Sequence, residues 1–481
     1  MSDAAAELVA PWGPPPPNGK AAWLRGRLID AILGGRLPPG TALPGARDLA
    51  QAAGLARGTA DAVYAQLQDE GFIRSEPRRR PVVTGGPGPG APALAPPSSA
   101  APPPSPGVPD PALFPHRAWA AATRAALGGL SERDLGYPDP AGHPRLRAAL
   151  ADWLARTRGV SAEPDQIHVT GGVSHAMWML TTVLGATVWA VERPCSPGTM
   201  HHLVRRPVDV VQVPIDADGL DPALLPGARF SRADGDRGGS GRASAVDALH
   251  GGRVAAARPT DGGRDPGAAG SRRVEPEAAD GVGVGAVMIT PSHQYPTGVQ
   301  LSAARRRSLV DACRAAGRWI VEDDYDSHLA APGVVPAAVQ ALAPDLVVFT
   351  GSLSKLLAPG LRLGWIVAPP SVADRLREQR EDSDLGVSAV LQLTVAALIE
   401  SGGLDRHLRR ARRVYDERRT LLATRLAPRF ELSGAPVGVH AFAPADDAAA
   451  LAGELRASGV PAAPVDDERH PGAVISVAAV R

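Results

Sequence analysis

The sequence predicts two folded units of different class: a small, mainly-α unit carrying a helix-turn-helix, and a much larger α/β unit. Three observations lead there. The 481 residues exceed what a single hydrophobic core organises, roughly 100 to 200 residues per domain. Residues 85–110, from Gly85-Gly86-Pro87-Gly88 through Pro102-Pro103-Pro104, cannot build a core and read as an extended linker. Before this stretch apolar residues recur at helical spacing; from Asp110 onward helix, strand and loop signals alternate as in α/β proteins.

In the first unit, residues 1–19 are expected to be disordered and residues 20–84 to fold. Leu24, Leu28 and Ile32 place a helix between Ala21 and the Gly34-Gly35 stop. A short helix through Arg47, Leu49, Ala50 and Ala53 meets Gly54, and another runs from Ala56 to Glu70 with Val63, Tyr64 and Leu67 inward. Phe72-Ile73 and Val82-Val83 read as the strands of a wing that turns at Arg78, Arg79 and Arg80. The candidate DNA contacts are Arg47, Arg57, Thr59, Arg78, Arg79 and Arg80, because helix N-termini and wing arginines meet phosphates. By spacing alone, a small helical bundle with solvated arginines is an equal reading.

Charge and cysteine content narrow the classes. With 51 Lys and Arg against 50 Asp and Glu the net charge is +1, so DNA binding has to be local. Residues 20–85 carry ten basic against six acidic side chains. Cys195 and Cys313 stand apart, without disulfide or zinc spacing, and no metal site is expected at His201, His202 or His250. The start has no basic n-region and no run reaches about 18 apolar residues. A cytoplasmic protein with no membrane partner is the expectation.

The larger unit, residues 111–481, contains a Gly, Ala, Arg and Asp mixture at about 229–285 that is expected to be a disordered insertion. Its chemistry centres on a lysine. The chain has only two, Lys20 and Lys355, and an arginine could have served at 355 if only charge were wanted. An amine condenses with an aldehyde and a guanidinium does not, so Lys355, the catalytic candidate, is also the candidate attachment point for pyridoxal 5′-phosphate. Strand alternation in Ile320–Tyr325 puts Asp323 and Tyr325 on one face, to pair a pyridine nitrogen and a ring oxygen, with Asp324 and Asp326 turned away. Gly172 and Val173 open a helix after a strand and offer backbone amides to phosphate. Ser352, Ser354 and the fork of Arg362 add side-chain bonds, and the loop Thr290–Gly298 brings His293.

These runs resemble the MocR-type regulators of the GntR family, in which a winged helix-turn-helix precedes a fold-type-I, pyridoxal phosphate-dependent aminotransferase-like domain with a small α+β C-terminal subdomain. The resemblance rests on Leu37-Pro38-Pro39-Gly40 with Arg47, Arg57 and Thr59, on Thr290–Gly298, on Glu322–Asp326 and on Ser352–Gly364. It implies that Lys355 bonds the cofactor covalently, Asp323 pairs its nitrogen, Tyr325 its 3′ oxygen and Arg362 its phosphate. It also implies a head-to-tail homodimer in which Tyr137 reaches the partner's phosphate. Partners would be operator DNA, the cofactor and an amine or amino-acid effector.

Three departures accompany the resemblance. Ser196 stands where the family carries a ring-stacking tyrosine, Ser174-His175 where it carries two glutamines, and Ala473-Val474-Ile475-Ser476-Val477 lacks the arginine that aminotransferases offer a substrate carboxylate. A regulator sensing the cofactor or an amine is the leading expectation. An active aminotransferase with a vestigial DNA-binding domain, and a regulator that has lost its cofactor, are the alternatives.

Overall fold

The computed structural model describes residues 3–76, 79–84, 106–227, 284–427 and 429–480. The chain divides into two compact units, Met1–Pro102 and Pro103–Arg481. Most of the expected linker and of the insertion lies outside the described residues, as does Arg78.

The first unit contains α1 (Asp3–Val9), α2 (Lys20–Leu33), α3 (Ala46–Ala52), α4 (Arg57–Asp69) and the antiparallel pair β1 (Ile73–Arg74) and β2 (Val82–Val83). Gly54, with φ +66, makes the turn between α3 and α4. Leu24, Leu28, Leu49, Val63 and Leu67 form the core as their spacing requires, and the Tyr64 hydroxyl donates to the Pro44 carbonyl at 2.7 Å. The expected disorder of residues 1–19 is corrected: α1 forms, and Val9 and Trp12 join that core, Trp12 edge-on to Trp23 with centroids 6.3 Å apart. Seven Ala-rich residues are too short to signal a helix; burying the Trp12 indole stabilises it instead.

The second unit begins with α5 (His116–Gly128), α6 (Pro144–Arg158), β3 (Ile167–Thr170), α7 (Val173–Val183), β4 (Val188–Arg193), α8 (Pro197–Leu203), β5 (Asp209–Asp216) and β6 (Gly219–Leu220). There follow β7 (Ala286–Ile289), α9 (Ala303–Ala316), β8 (Trp319–Asp324), β9 (Val347–Ser352), α10 (Leu353–Leu356), β10 (Gly364–Val367), α11 (Pro370–Glu381), α12 (Ala389–Glu400) and α13 (Gly403–Leu426). The eight strands form one sheet in the order β3-β10-β9-β8-β7-β4-β5-β6, with β9, β8, β7, β4 and β5 parallel. Strands buried on both faces explain the continuous apolar runs. A second layer, β11 (His440–Pro444), α14 (Ala448–Ala457), β12 (Ala462–Val465) and β13 (Gly472–Ser476), is the small α+β subdomain, its sheet antiparallel in the order β11-β13-β12.

The expected end of the linker at residue 110 is also corrected. Gly107, Pro109 and Asp110 are buried; the Asp110 amide donates to the Tyr415 hydroxyl at 3.1 Å and Arg418 donates to the Asp110 carboxylate at 2.7 Å. The composition is linker-like, but these side-chain bonds dock the segment.

Trp12→Ala should cost the first unit about 3 kcal/mol. In the full chain, hydrogen exchange of the core amides of α2 and α4 should then accelerate roughly 100-fold; unchanged exchange would mean that the N-terminal helix contributes nothing.

Candidate functional site

Parallel strands deliver their C-terminal ends to one edge of a sheet, where α/β proteins bind ligands. Here the ends of β4, β7, β8 and β9 and the β3–α7 turn surround a cavity of about 450 Å³, within the usual range for small-molecule sites. Asp323, Tyr325, Ser352, Ser354, Lys355, Arg362 and Val173 all line it, so seven of the ten predicted cofactor residues meet in one place.

Each is positioned by its local element. Asp323 faces Thr350 across β8 and β9, and the Thr350 hydroxyl donates to its carboxylate at 3.4 Å. Burial, reinforced by the charge of Asp324, pushes the Asp323 pKa up to about 7, against the pull of Thr350 and Lys355. Asp324 points to the rear, held by Arg158 Nε at 2.5 Å. Despite the cost of burial, the Arg158 charge keeps the Asp324 carboxyl below its usual range. Tyr325 donates to the His293 carbonyl at 2.6 Å. Lys355 follows β9 on the single turn of α10; burial lowers its pKa, while Asp326 and Asp323 oppose that shift.

Gly172 and Arg362 form the phosphate-sized corner. Gly172 has φ +97, and a Cβ there would lie 3.2 Å from the Arg362 guanidinium. Arg362 itself has φ 48 and ψ 50, uncommon for a residue with a side chain. The first N–H groups of α7 have no intrahelical acceptor. A glycine cradle, helix-terminal amides, two serine hydroxyls and a guanidinium in one corner fit a phosphate ester, and the enclosed amine and carboxylate fit the aldehyde and pyridine of pyridoxal phosphate.

Three predicted residues fall elsewhere. Gly172 packs behind Arg362 rather than on the cavity wall. Tyr137 is 89% exposed and does not line the cavity. His293 is buried with its Nδ1 at 3.0 Å from the Asp326 carboxylate, bordering Tyr325 at a ring distance of 6.0 Å.

The expected orientation of Asp326 is corrected. Strand β8 ends at Asp324, so alternation stops and Asp326 turns toward His293 and the lysine. Gly438 makes room for it: its φ is +71 and a Cβ would overlap the Asp326 carboxylate. Gly107 and His440 were not singled out by sequence reasoning, yet both line the cavity; a Gly-x-Pro-Asp run at the linker's end and a histidine in an apolar strand were the available signals. The departures also acquire roles. Ser196 caps α8, accepting from the Gly198 amide at 3.2 Å, and His175 accepts from the Gly171 amide at 3.1 Å, bracing the β3–α7 turn.

In the first unit, Arg47, Arg57, Arg79 and Arg80 border one groove with Asp61, while Thr59 is half-buried in the first turn of α4. Asp61 lies 3.4 Å from Arg57 and Glu76 lies 2.9 Å from Arg79.

Comparison with known proteins agrees with both units. Residues 109–228 and 277–464 match aminotransferase class I and II, and residues 21–83 match the bacterial regulatory proteins of the gntR family. The HTH-type pyridoxine biosynthesis transcriptional regulator PdxR of Corynebacterium glutamicum is 28% identical over 457 residues, covering 91% of this chain and 85% of that protein. The probable rhizopine catabolism regulatory protein MocR of Rhizobium meliloti is 28% identical over 421 residues, covering 82% and 74%. The crystal structure of an archaeal alanine:glyoxylate aminotransferase superposes with a TM-score of 0.61 at 21% identity, over 77% of this chain and 84% of that one, a likeness of fold.

An acid whose folded pKa is raised holds a proton that the unfolded chain has already lost, so stability falls as pH rises from the ordinary 3.8 of Asp323 toward about 7. In cofactor-free protein, Asp323→Asn should therefore raise the melting temperature by about 4 °C or more at pH 8.5 and leave it unchanged below pH 4. Equal melting curves at pH 8.5 would contradict the burial of that charge.

Proposed function

We propose, because the chain belongs to the class I and II aminotransferase family and joins it to a gntR-family regulatory domain in the MocR-type arrangement, that this transcriptional regulator binds pyridoxal phosphate in the cavity around Lys355 and senses the cofactor or a small amine captured there. The observation that carries the proposal is the convergence of Lys355, Asp323, Tyr325 and Arg362 on one cavity in a chain that also bears a helix-turn-helix. When bound, the cofactor would supply an aldehyde for amines and an electron-withdrawing ring.

The chain's own residues do the rest. Lys355 offers an amine whose proton is weakened by burial. Burial raises the Asp323 pKa to about 7, and a protonated ring nitrogen beside it would favour the ionised carboxylate that pairs with it. Arg362 and the α7 terminus receive negative charge, and Gly107 lines the cavity beside Tyr295 and Lys355. The exposed ring of Tyr137 supports a homodimer in which it completes the partner's site. The names of the relatives, which concern pyridoxine biosynthesis and rhizopine catabolism, support a regulator of cofactor supply or of small-molecule catabolism. Turnover as an aminotransferase stands second, since the run Ala473–Val477 carries no arginine to hold a substrate carboxylate. A ligand switches the regulator only to the extent that it binds two arrangements of the protein unequally.

Adding pyridoxal phosphate to the full chain should produce a visible absorbance band that borohydride makes irreversible, absent in Lys355→Ala; the same band in both proteins would refute the assignment. Arg47→Ala should weaken operator binding for all sequences alike and flatten the logarithmic salt dependence by about 1. An unaltered salt slope in gel-shift titrations would remove Arg47 from the DNA interface.

A further inference from the structure

His440 stands on β11 opposite Ser476 of β13, at the end of the cavity that the phosphate corner does not use. It is fully buried, stacked on His293 with centroids 4.4 Å apart and against Tyr295 at 4.9 Å. Neither of its ring nitrogens makes a hydrogen bond of good geometry, although the Pro296 carbonyl lies close. A buried donor and acceptor left unmatched cost stability, and of the two histidines with both ring nitrogens so left among the described residues, His168 and His440, it is His440 that lines the cavity. The position on the cavity wall makes a ligand the natural partner.

We infer that His440 is a specificity-determining residue, which reads a neutral hydrogen-bonding group, such as a hydroxyl, on a primary amine that takes the place of the Lys355 amine on the cofactor's aldehyde carbon, the lysine leaving as a free amine. The inference rests on the proposed cofactor reading and names the class of effector. Charge decides the class. Burial, followed by the nearby charges of His293, Arg419 and Lys355, drives the His440 pKa well below its ordinary value, so the ring is neutral and offers one donor and one acceptor. Arg419 directs its Nη1 to the His440 carbonyl and an Nη2 bond to the Gly438 carbonyl, at 3.2 and 3.0 Å, and it does not line the cavity. Among the described lining residues, Arg362 is the guanidinium, and it belongs to the phosphate corner. A carboxylate brought to His440 would find no guanidinium on the cavity wall at that end, since the Nη groups of Arg419 are held by backbone carbonyls, and burying it without a bonded partner is costly; a hydroxyl would satisfy the imidazole. The parallel stacking of His293 and His440 also explains why this cluster with Asp326, although compact, is read as a recognition wall and not as a metal site: stacked rings do not aim their lone pairs at one point.

The test uses full-length protein loaded with pyridoxal phosphate and three amines of three carbons each: 3-amino-1-propanol, β-alanine and propylamine. Shifts of the visible band would give their dissociation constants. Wild type should bind the amino alcohol about tenfold more tightly than either of the others, as one well-placed hydrogen bond provides. His440→Phe, which keeps the stacked ring without its nitrogens, should abolish that preference while propylamine binding stays put, and His440→Asn should restore part of it. Tightest binding of β-alanine by wild type, or a preference that survives in His440→Phe, would overturn the assignment while leaving the cofactor reading intact. Should His440→Phe lose its native circular dichroism, the wild-type ranking and His440→Asn still decide. A wild type with no visible band at all would overturn the cofactor reading and this inference together.

Discussion

The buried pair of Arg158 and Asp324 is the constraint on which the site depends. The side chains are 3% and 1% exposed, and the remaining Arg158 nitrogens donate to the Ser292 hydroxyl at 2.8 Å and the Pro336 carbonyl at 2.9 Å. One guanidinium thus joins the end of α6, the end of β8 and the loop that carries His293. Since neighbours on a strand face opposite ways, fixing Asp324 to the rear presents Asp323 to the cavity. Removing one partner of such a pair would leave an uncompensated charge, at a cost of about 3–5 kcal/mol, and would release two functional segments together.

The cavity is assembled against the preference of its own acids. Glu192 and Glu322, both enclosed, are pushed up to about 7 by burial, as Asp323 is. Glu192 is relieved by the Thr290 amide and hydroxyl, and Glu322 by the amides of Val339 and Gln340, whereas Asp323 has only a long bond from Thr350. Of the two that line the cavity, Glu192 and Asp323, Asp323 has the poorer internal satisfaction. Functional sites are where such destabilised groups persist, because a ligand supplies what the protein withholds. His440 follows the same rule from the opposite wall, with nitrogens in place of oxygens.

Much of this site was legible because its parts are local. Lys355 was conspicuous in a chain with two lysines, Asp323 and Tyr325 by strand period, and Gly172 with Val173 by a glycine turn opening a helix; each inference needs only a few consecutive residues. Where local rules gave out, sequence reasoning failed. Asp326 was assigned the wrong direction because the strand period was carried two residues past the end of β8. The N-terminal helix was missed because its stability comes from Trp12 meeting Trp23 and Leu24, a tertiary contact.

By itself the sequence determined the two fold classes, the edge of the sheet at which chemistry gathers, and the side chains bearing an amine, a carboxylate and a guanidinium there. Only the tertiary structure decided what lies opposite them. His440 and Gly438 approach from a subdomain more than 80 residues beyond Lys355, and Gly107 from the far end of a proline-rich run. No periodicity connects such segments, because their proximity is set by the packing of two sheets and by the docking of Asp110 onto Tyr415 and Arg418. Local chemistry is written in consecutive residues, while the shape and polarity of a cavity are properties of surfaces brought together from distant parts of the chain.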